Sequence, residues 1–266
     1  MTAAALDEHV EMRTVAGGPL EVYTAGAGPT LLLLHGSHGW WGWEPIHERL
    51  AERFTVLAPS HPGFGRSPRA AGLDSIDDLA YYYLDLIAEW ALPPATILGF
   101  GMGGWLALEM AVRCPPVVGR LVLVDSVGIK VSDRETRDIA DPYILPPERH
   151  QALLWHDAVG HHAPLPERGM DRPVLEAMLH NLESAMYYGW KPYMHNPKLR
   201  QRLHRVAAPT LVVWGEQDRI VSSAYGRAFA DLIPGARFTA IPDCGHYPHR
   251  EQTERFLATV LDFLNS

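Results

Sequence analysis

The sequence predicts an α/β protein, with a mainly parallel central sheet flanked by helices and one helical insertion. Three observations carry that reading. Short apolar and β-branched runs alternate with segments of helical spacing from Leu31 to Val124. From about Gly128 to Arg205 prolines interrupt short amphipathic pieces, and no strand-like run occurs. The alternation then resumes at Thr210. The expected core is therefore residues 1–127 and 206–266, and the expected helical cap is 128–205.

Each element follows from its own residues. His9–Val15 and Leu20–Tyr23 alternate and are turned by Gly17-Gly18-Pro19, which reads as a hairpin at a sheet edge. The unbroken run Leu31–Leu34 suits a strand buried on both faces. His35-Gly36-Ser37-His38-Gly39 ends it in a loop able to present backbone amides. Helical spacing covers Ile46–Leu50, Phe54–Ala58 is another buried strand, and Ser75 is placed to cap a helix from Ile76 to Trp90. Thr96–Leu98 enters a glycine cluster, and Trp105, Leu108 and Ala111 then recur at helical spacing: strand, tight turn, helix. A further strand ends at Asp125. Beyond the insertion come the strand Thr210–Trp214, a helix near Ser222–Leu232, the strand Arg237–Ile241 and a last helix from about Thr253 to Leu264.

Composition narrows the function. A chain of 266 residues, 47% hydrophobic, suits one large domain or one domain with an insertion. A net charge of −8 counts against nucleic acid and anionic membranes, because phosphate neutralisation needs clustered Lys and Arg. A small-molecule substrate is the expected partner, with the chain a monomer or homodimer. Met1–Arg13 carries no apolar core of signal-peptide length and no run of 18 apolar residues exists, so a cytoplasmic location is expected. The two cysteines, Cys114 and Cys244, imply no disulfide framework. The fourteen histidines form no H-E-x-x-H, and His161–His162 falls in a Pro-rich loop, so neither a metal nor a cofactor is expected.

The turn at Gly101 puts that residue at a strand's carboxyl end beside the first amides of a helix, where an oxyanion would be welcome. Two patterns fit its letters. Gly99, Gly101 and Gly104 match the dinucleotide fingerprint G-x-G-x-x-G, with Asp125 about 20 residues on. Gly99-Phe100-Gly101-Met102-Gly103 also matches the nucleophile elbow G-x-S-x-G, except that glycine stands in the serine position. Two later segments discriminate. Trp214-Gly215-Glu216-Gln217-Asp218 puts a carboxylate in the turn after one strand, and Asp243-Cys244-Gly245-His246 puts an imidazole in the turn after the last. The dinucleotide pattern leaves both unexplained.

Elbow, acid, histidine in that order, with the His35-Gly36 loop before them, resembles the α/β hydrolase superfamily over nearly the whole chain. The resemblance implies that Asp218 orients His246, that His246 faces Gly101, and that the amides of Met102 and Ser37 form an oxyanion hole. It also implies that the family's covalent acyl-enzyme route is closed, since Gly101 offers no nucleophile. Three functions remain open: general-base chemistry without a covalent intermediate (hydrolysis by activated water, C–C cleavage, or cyclisation and elimination), a serine hydrolase carrying an inactivating Ser-to-Gly change, and a ligand-binding member without catalysis. Aromatic residues of the loops and cap suggest an apolar pocket, with Trp105, His38, Trp41, Trp190 and Tyr187 as expected substrate contacts.

Overall fold

Successive side chains of a strand point to opposite faces, and in the run Leu31–Leu34 every one of them is apolar. Leu32 and Leu34 join one buried cluster, with Ile97, Leu121, Leu123, Val212 and Trp214. Leu31 and Leu33 join the other, with Leu98, Val122, Val124, Leu211 and Val213. A sheet with two apolar faces requires helices on both. The computed structural model describes residues 9–92, 94–141, 144–157 and 171–266. Residues 1–8 and the pair His161–His162, read above, lie outside the described residues.

Among the described residues eight strands form one sheet: β1 (Val10–Val15), β2 (Gly18–Ala25), β3 (Thr30–Leu34), β4 (Thr55–Pro59), β5 (Ala95–Phe100), β6 (Val118–Val124), β7 (Thr210–Gly215) and β8 (Arg237–Ile241). Their order is β1-β2-β4-β3-β5-β6-β7-β8. The β1–β2 and β2–β4 pairs are antiparallel and the others parallel, so the predicted hairpin is indeed at an edge. The helices are α1 (Pro45–Ala51), α2 (Ile76–Glu89), α3 (Met102–Arg113), α4 (Pro147–Leu154), α5 (Arg172–Gly189), α6 (Ser223–Leu232), α7 (Pro248–Glu251) and α8 (Thr253–Asn265). Residues from α2, α3 and α6 pack into the first cluster, and residues from α1 and α8 into the second.

Ser75 caps α2 through its hydroxyl, which accepts the Asp78 amide at 3.2 Å. The described residues of the segment between β6 and β7 supply α4, α5 and a short 3-10 stretch, Arg200–Arg205, and no strand of the sheet. Helix α5 is bonded to the loops after β3 and β4. Asn181 donates to the His38 carbonyl at 3.1 Å and accepts the Gly65 amide at 2.9 Å. Ser184 and Tyr188 donate to the carbonyls of Gly63 and Pro62.

Packing is tight where β5 turns into α3. A Cβ on Gly103 would lie 2.1 Å from the Leu34 carbonyl oxygen and 2.6 Å from that of His35. Both are backbone atoms at and just past the end of β3 and cannot rotate away. Gly103→Ala is expected to cost about 2 kcal/mol or more, the range of overpacked cores. Urea unfolding of the variant checks this, through a lower midpoint at unchanged slope.

Candidate active site

Gly101 has φ 49° and ψ −110° between the end of β5 and the start of α3, a positive φ in a sharp strand-to-helix turn. Glycine adopts it without the steric penalty an L side chain meets. The turn is pinned from both sides: the Gly101 amide donates to the Val124 carbonyl at 2.9 Å, and its carbonyl accepts the Val127 amide at 3.2 Å. Met102, as the first residue of α3, has an amide with no acceptor inside the helix. It lines one pocket together with Ser37, His38, Trp41, Gly101 and His246.

The acid and the imidazole meet above this turn. Asp218 is fully buried, and its Oδ1 accepts the amides of Ile220 at 2.8 Å and Val221 at 3.2 Å. Its Oδ2 lies 2.8 Å from Nδ1 of His246. A carboxylate accepts only, so Nδ1 carries the proton and Nε2 keeps a free lone pair. The His246 backbone is fixed from the end of α4, donating to the Leu154 carbonyl at 2.8 Å. Nε2 lies 3.8 Å from the point a Cβ at residue 101 would occupy. The pair can therefore take a proton from a group bound over Gly101, with the charge on the ring matched by Asp218.

The walls combine aromatic faces with a few polar groups. His38 Nδ1 lies 2.9 Å from the Tyr247 hydroxyl, and burial pushes the His38 imidazole down to about 3, so it is neutral near pH 7. Behind it, His35 Nε2 accepts the His61 amide at 2.9 Å and its Nδ1 donates to the Gly36 carbonyl at 2.8 Å, which stiffens the loop carrying Ser37. Arg250 stacks its guanidinium on Trp41, 3.1 Å from the ring centroid, and pairs with Glu44 at 2.6 Å. Tyr247, Arg250 and Glu44 were missed in the sequence. The available signal was position: Tyr247 and Arg250 follow His246 by one and four residues, and Glu44 immediately precedes α1.

Three expected contacts sit elsewhere. Trp105 is 5% exposed and lies in the core against Gly128, its indole N–H donating to Glu109 at 3.0 Å. Four residues past the elbow, it is carried round to the side of α3 that packs on the chain after β6. Trp190 and Tyr187 are 48% and 46% exposed at the surface, Tyr187 beneath the Arg69 guanidinium. None of the three lines the pocket. Asp125 has no part in a ribose site. It lies at the end of β6 with its carboxyl near Asp218, and one ligand-type atom each from Asp125, Asp218 and His246 lies within 4.8 Å of the others. Such a cluster has the composition of a metal site. Yet Asp218 is already engaged by the Ile220, Val221 and His246 donors, which accounts for the grouping without an ion.

Residues 31–259 match the alpha/beta hydrolase family, and the chain belongs to that family. It is 28% identical to the 2-hydroxymuconate semialdehyde hydrolase of a Pseudomonas species, over 94% of this chain and 91% of that one. It is 29% identical to a 2-hydroxy-6-oxononadienedioate/2-hydroxy-6-oxononatrienedioate hydrolase of Paraburkholderia phymatum, over 99% and 97%. Among solved structures it resembles a meta-cleavage product hydrolase, CumD, with a TM-score of 0.78 at 22% identity, covering 96% of this chain and 97% of that one, a likeness of fold. No helix among the described residues is long and apolar enough to cross a membrane.

Proposed function

We propose that this protein is a hydrolase without a nucleophilic side chain, in which His246, oriented by Asp218, acts as general base on a water bound over Gly101. The supporting observation is the free Nε2 of His246, 3.8 Å from where a Cβ of residue 101 would stand. The substrate is a small carbonyl compound held between the aromatic walls, with its carbonyl oxygen toward the amides of Met102 and Ser37. Water gives one proton to Nε2 while its oxygen attacks the carbonyl carbon, and the displaced π pair becomes an oxyanion held by those amides. When the oxyanion collapses, the bond to the leaving group breaks, and the leaving group takes the proton back from Nε2. The relatives that hydrolyse 2-hydroxymuconate semialdehyde and the nonadienedioates make a carbon leaving group the first to try. Segment 128–205 is read as the cap that closes over this site.

Residue 101 supplies the test. A Cβ there would meet only Gly36 Cα and His246 Nε2, both at 3.8 Å, so serine has room and a base beside it. The native protein is expected to turn over carbonyl substrates with no burst and no mass adduct after a serine-directed phosphonate. The Gly101→Ser variant is expected to gain both, at a backbone cost of about 1–3 kcal/mol for a side chain at this φ. A phosphonate adduct on the native chain, or a native chain without turnover on any meta-cleavage product or aryl ester while Gly101→Ser is active, overturns the water mechanism. The second outcome would identify a serine hydrolase disabled at residue 101.

A further inference from the structure

Asp125 is buried, 1% exposed, and its backbone adopts φ 43°, uncommon for a residue with a side chain. One carboxyl oxygen, Oδ1, accepts the Gly215 amide at 2.8 Å. The other, Oδ2, is buried with no N–H or hydroxyl donor to accept. Its polar neighbour is Asp218, which has three donors on two oxygens and hence one acceptor site still open. Two ionised carboxylates at such separation in a dry interior repel strongly, and neither Asp125 nor Asp218 has a Lys or Arg bonded to it among the described residues. One proton shared between them removes the repulsion and satisfies Oδ2 as a donor.

We propose that Asp125 is a positioning residue for His246: a neutral carboxyl group whose O–H donates to Asp218, fixing both the orientation and the basicity of the carboxylate that holds the imidazole. Burial and the adjacent Asp218 charge push the Asp125 carboxyl well above the usual carboxylate range. The groups that face it come from three elements: Asp218 from the turn after β7, His246 and Cys244 from the turn after β8, and Glu251 at the end of α7. Glu251 also disfavours a second negative charge, while its own oxygens are held by the Gly245, His156 and Asp157 amides. A hydroxyl donor draws charge away from Asp218 and lowers the proton affinity of His246. Only the functional meaning of this arrangement rests on the reading of His246 as base; the protonation itself does not.

The experiment is a titration of the His246 imidazole by NMR in the native protein, Asp125→Asn and Asp125→Ala, which needs no substrate. Asparagine keeps an acceptor for Gly215 and a donor for Asp218 at zero charge. Its midpoint is therefore expected to stay within about 0.5 unit of the native one. Alanine removes the donor and is expected to raise the midpoint by about 1 unit. A fall of about 1 unit or more in Asp125→Asn would mean that an ionised carboxylate had been removed, and overturns the proposal. An alanine variant that titrates like the native protein overturns it too. Should Asp125→Ala fail to fold, the infrared spectrum decides: a protonated carboxyl stretch present in the native protein and lost in Asp125→Asn supports the proposal, and its absence from the native protein refutes it.

Discussion

His246→Ala is expected to lower turnover by roughly 10²–10⁴-fold, the usual contribution of a positioned general base, with KM little changed. KM is spared because His246 is one polar group in a pocket also lined by Trp40, Trp41 and Tyr247, all of which remain. The Gly101 turn and the Met102 amide remain as well, so the oxyanion stabilisation proposed above would persist, and a residual rate above the uncatalysed one is expected. Adding imidazole to the variant should restore part of the loss, since the cavity left over Gly101 admits a small base. Steady-state kinetics at saturating substrate decide. A change of less than about tenfold would remove His246 from the proton-transfer step.

A loss of stability on mild acidification is the other large effect expected. His35 Nε2 accepts the His61 amide and His47 Nδ1 accepts the Glu44 amide, both at 2.9 Å, so both rings are held neutral and protonation would break a hydrogen bond from a backbone amide. Burial pushes His35 down to about 4 and His47 to about 3, against an ordinary value of 6.5. Folded values below the unfolded one mean that the unfolded chain takes up protons first. Above about pH 6.5 neither group affects stability, and below it each removes about 1.4 kcal/mol per pH unit until its folded value is reached. Between pH 6.5 and 4.5 the two together cost about 5 kcal/mol, comparable with the whole stability of many domains. Urea midpoints measured from pH 7.5 to 4.5 test this, and a flat profile down to pH 5 contradicts it.

Strand runs were legible because they are apolar on both faces: Leu31–Leu34 and Leu211–Val213 have no polar member to suggest anything but a central strand. The turn was legible through its glycines, since Gly99 stands where β5 meets α3, and Gly103 where α3 meets the end of β3, too closely for a Cβ. Asp218 and His246 were legible as the acid and histidine that each follow a strand. The pocket walls were not. Trp105 lies four residues beyond Gly101 and faces the core, because helical spacing tells that a face is apolar and not which neighbour covers it. Trp190 and Tyr187 show the converse, large aromatics left at the surface, as is common for single apolar residues. Glu44 and Arg250 lie 206 positions apart and form a pair only because α1 and α7 meet at the pocket. Asp125 carried a second, wrong meaning in the fingerprint G-x-G-x-x-G, and only the β6–β7 pairing, Val124 beside Val213, brings it toward Gly215 and Asp218.

The bonds from α5 to the loops below it bear on how ligands come and go. Asn181 joins the His38 and Gly65 loops at once, and Ser184 and Tyr188 hold the carbonyls of Gly63 and Pro62. Lifting α5 breaks all four bonds together, at about 0.5–1.5 kcal/mol each. The helix is a tether on those two loops, and none of its residues lines the pocket itself. The His38 loop that Asn181 holds carries the pocket residues Ser37 and His38, so a substitution at Asn181 is expected to be felt first in the rate of ligand escape.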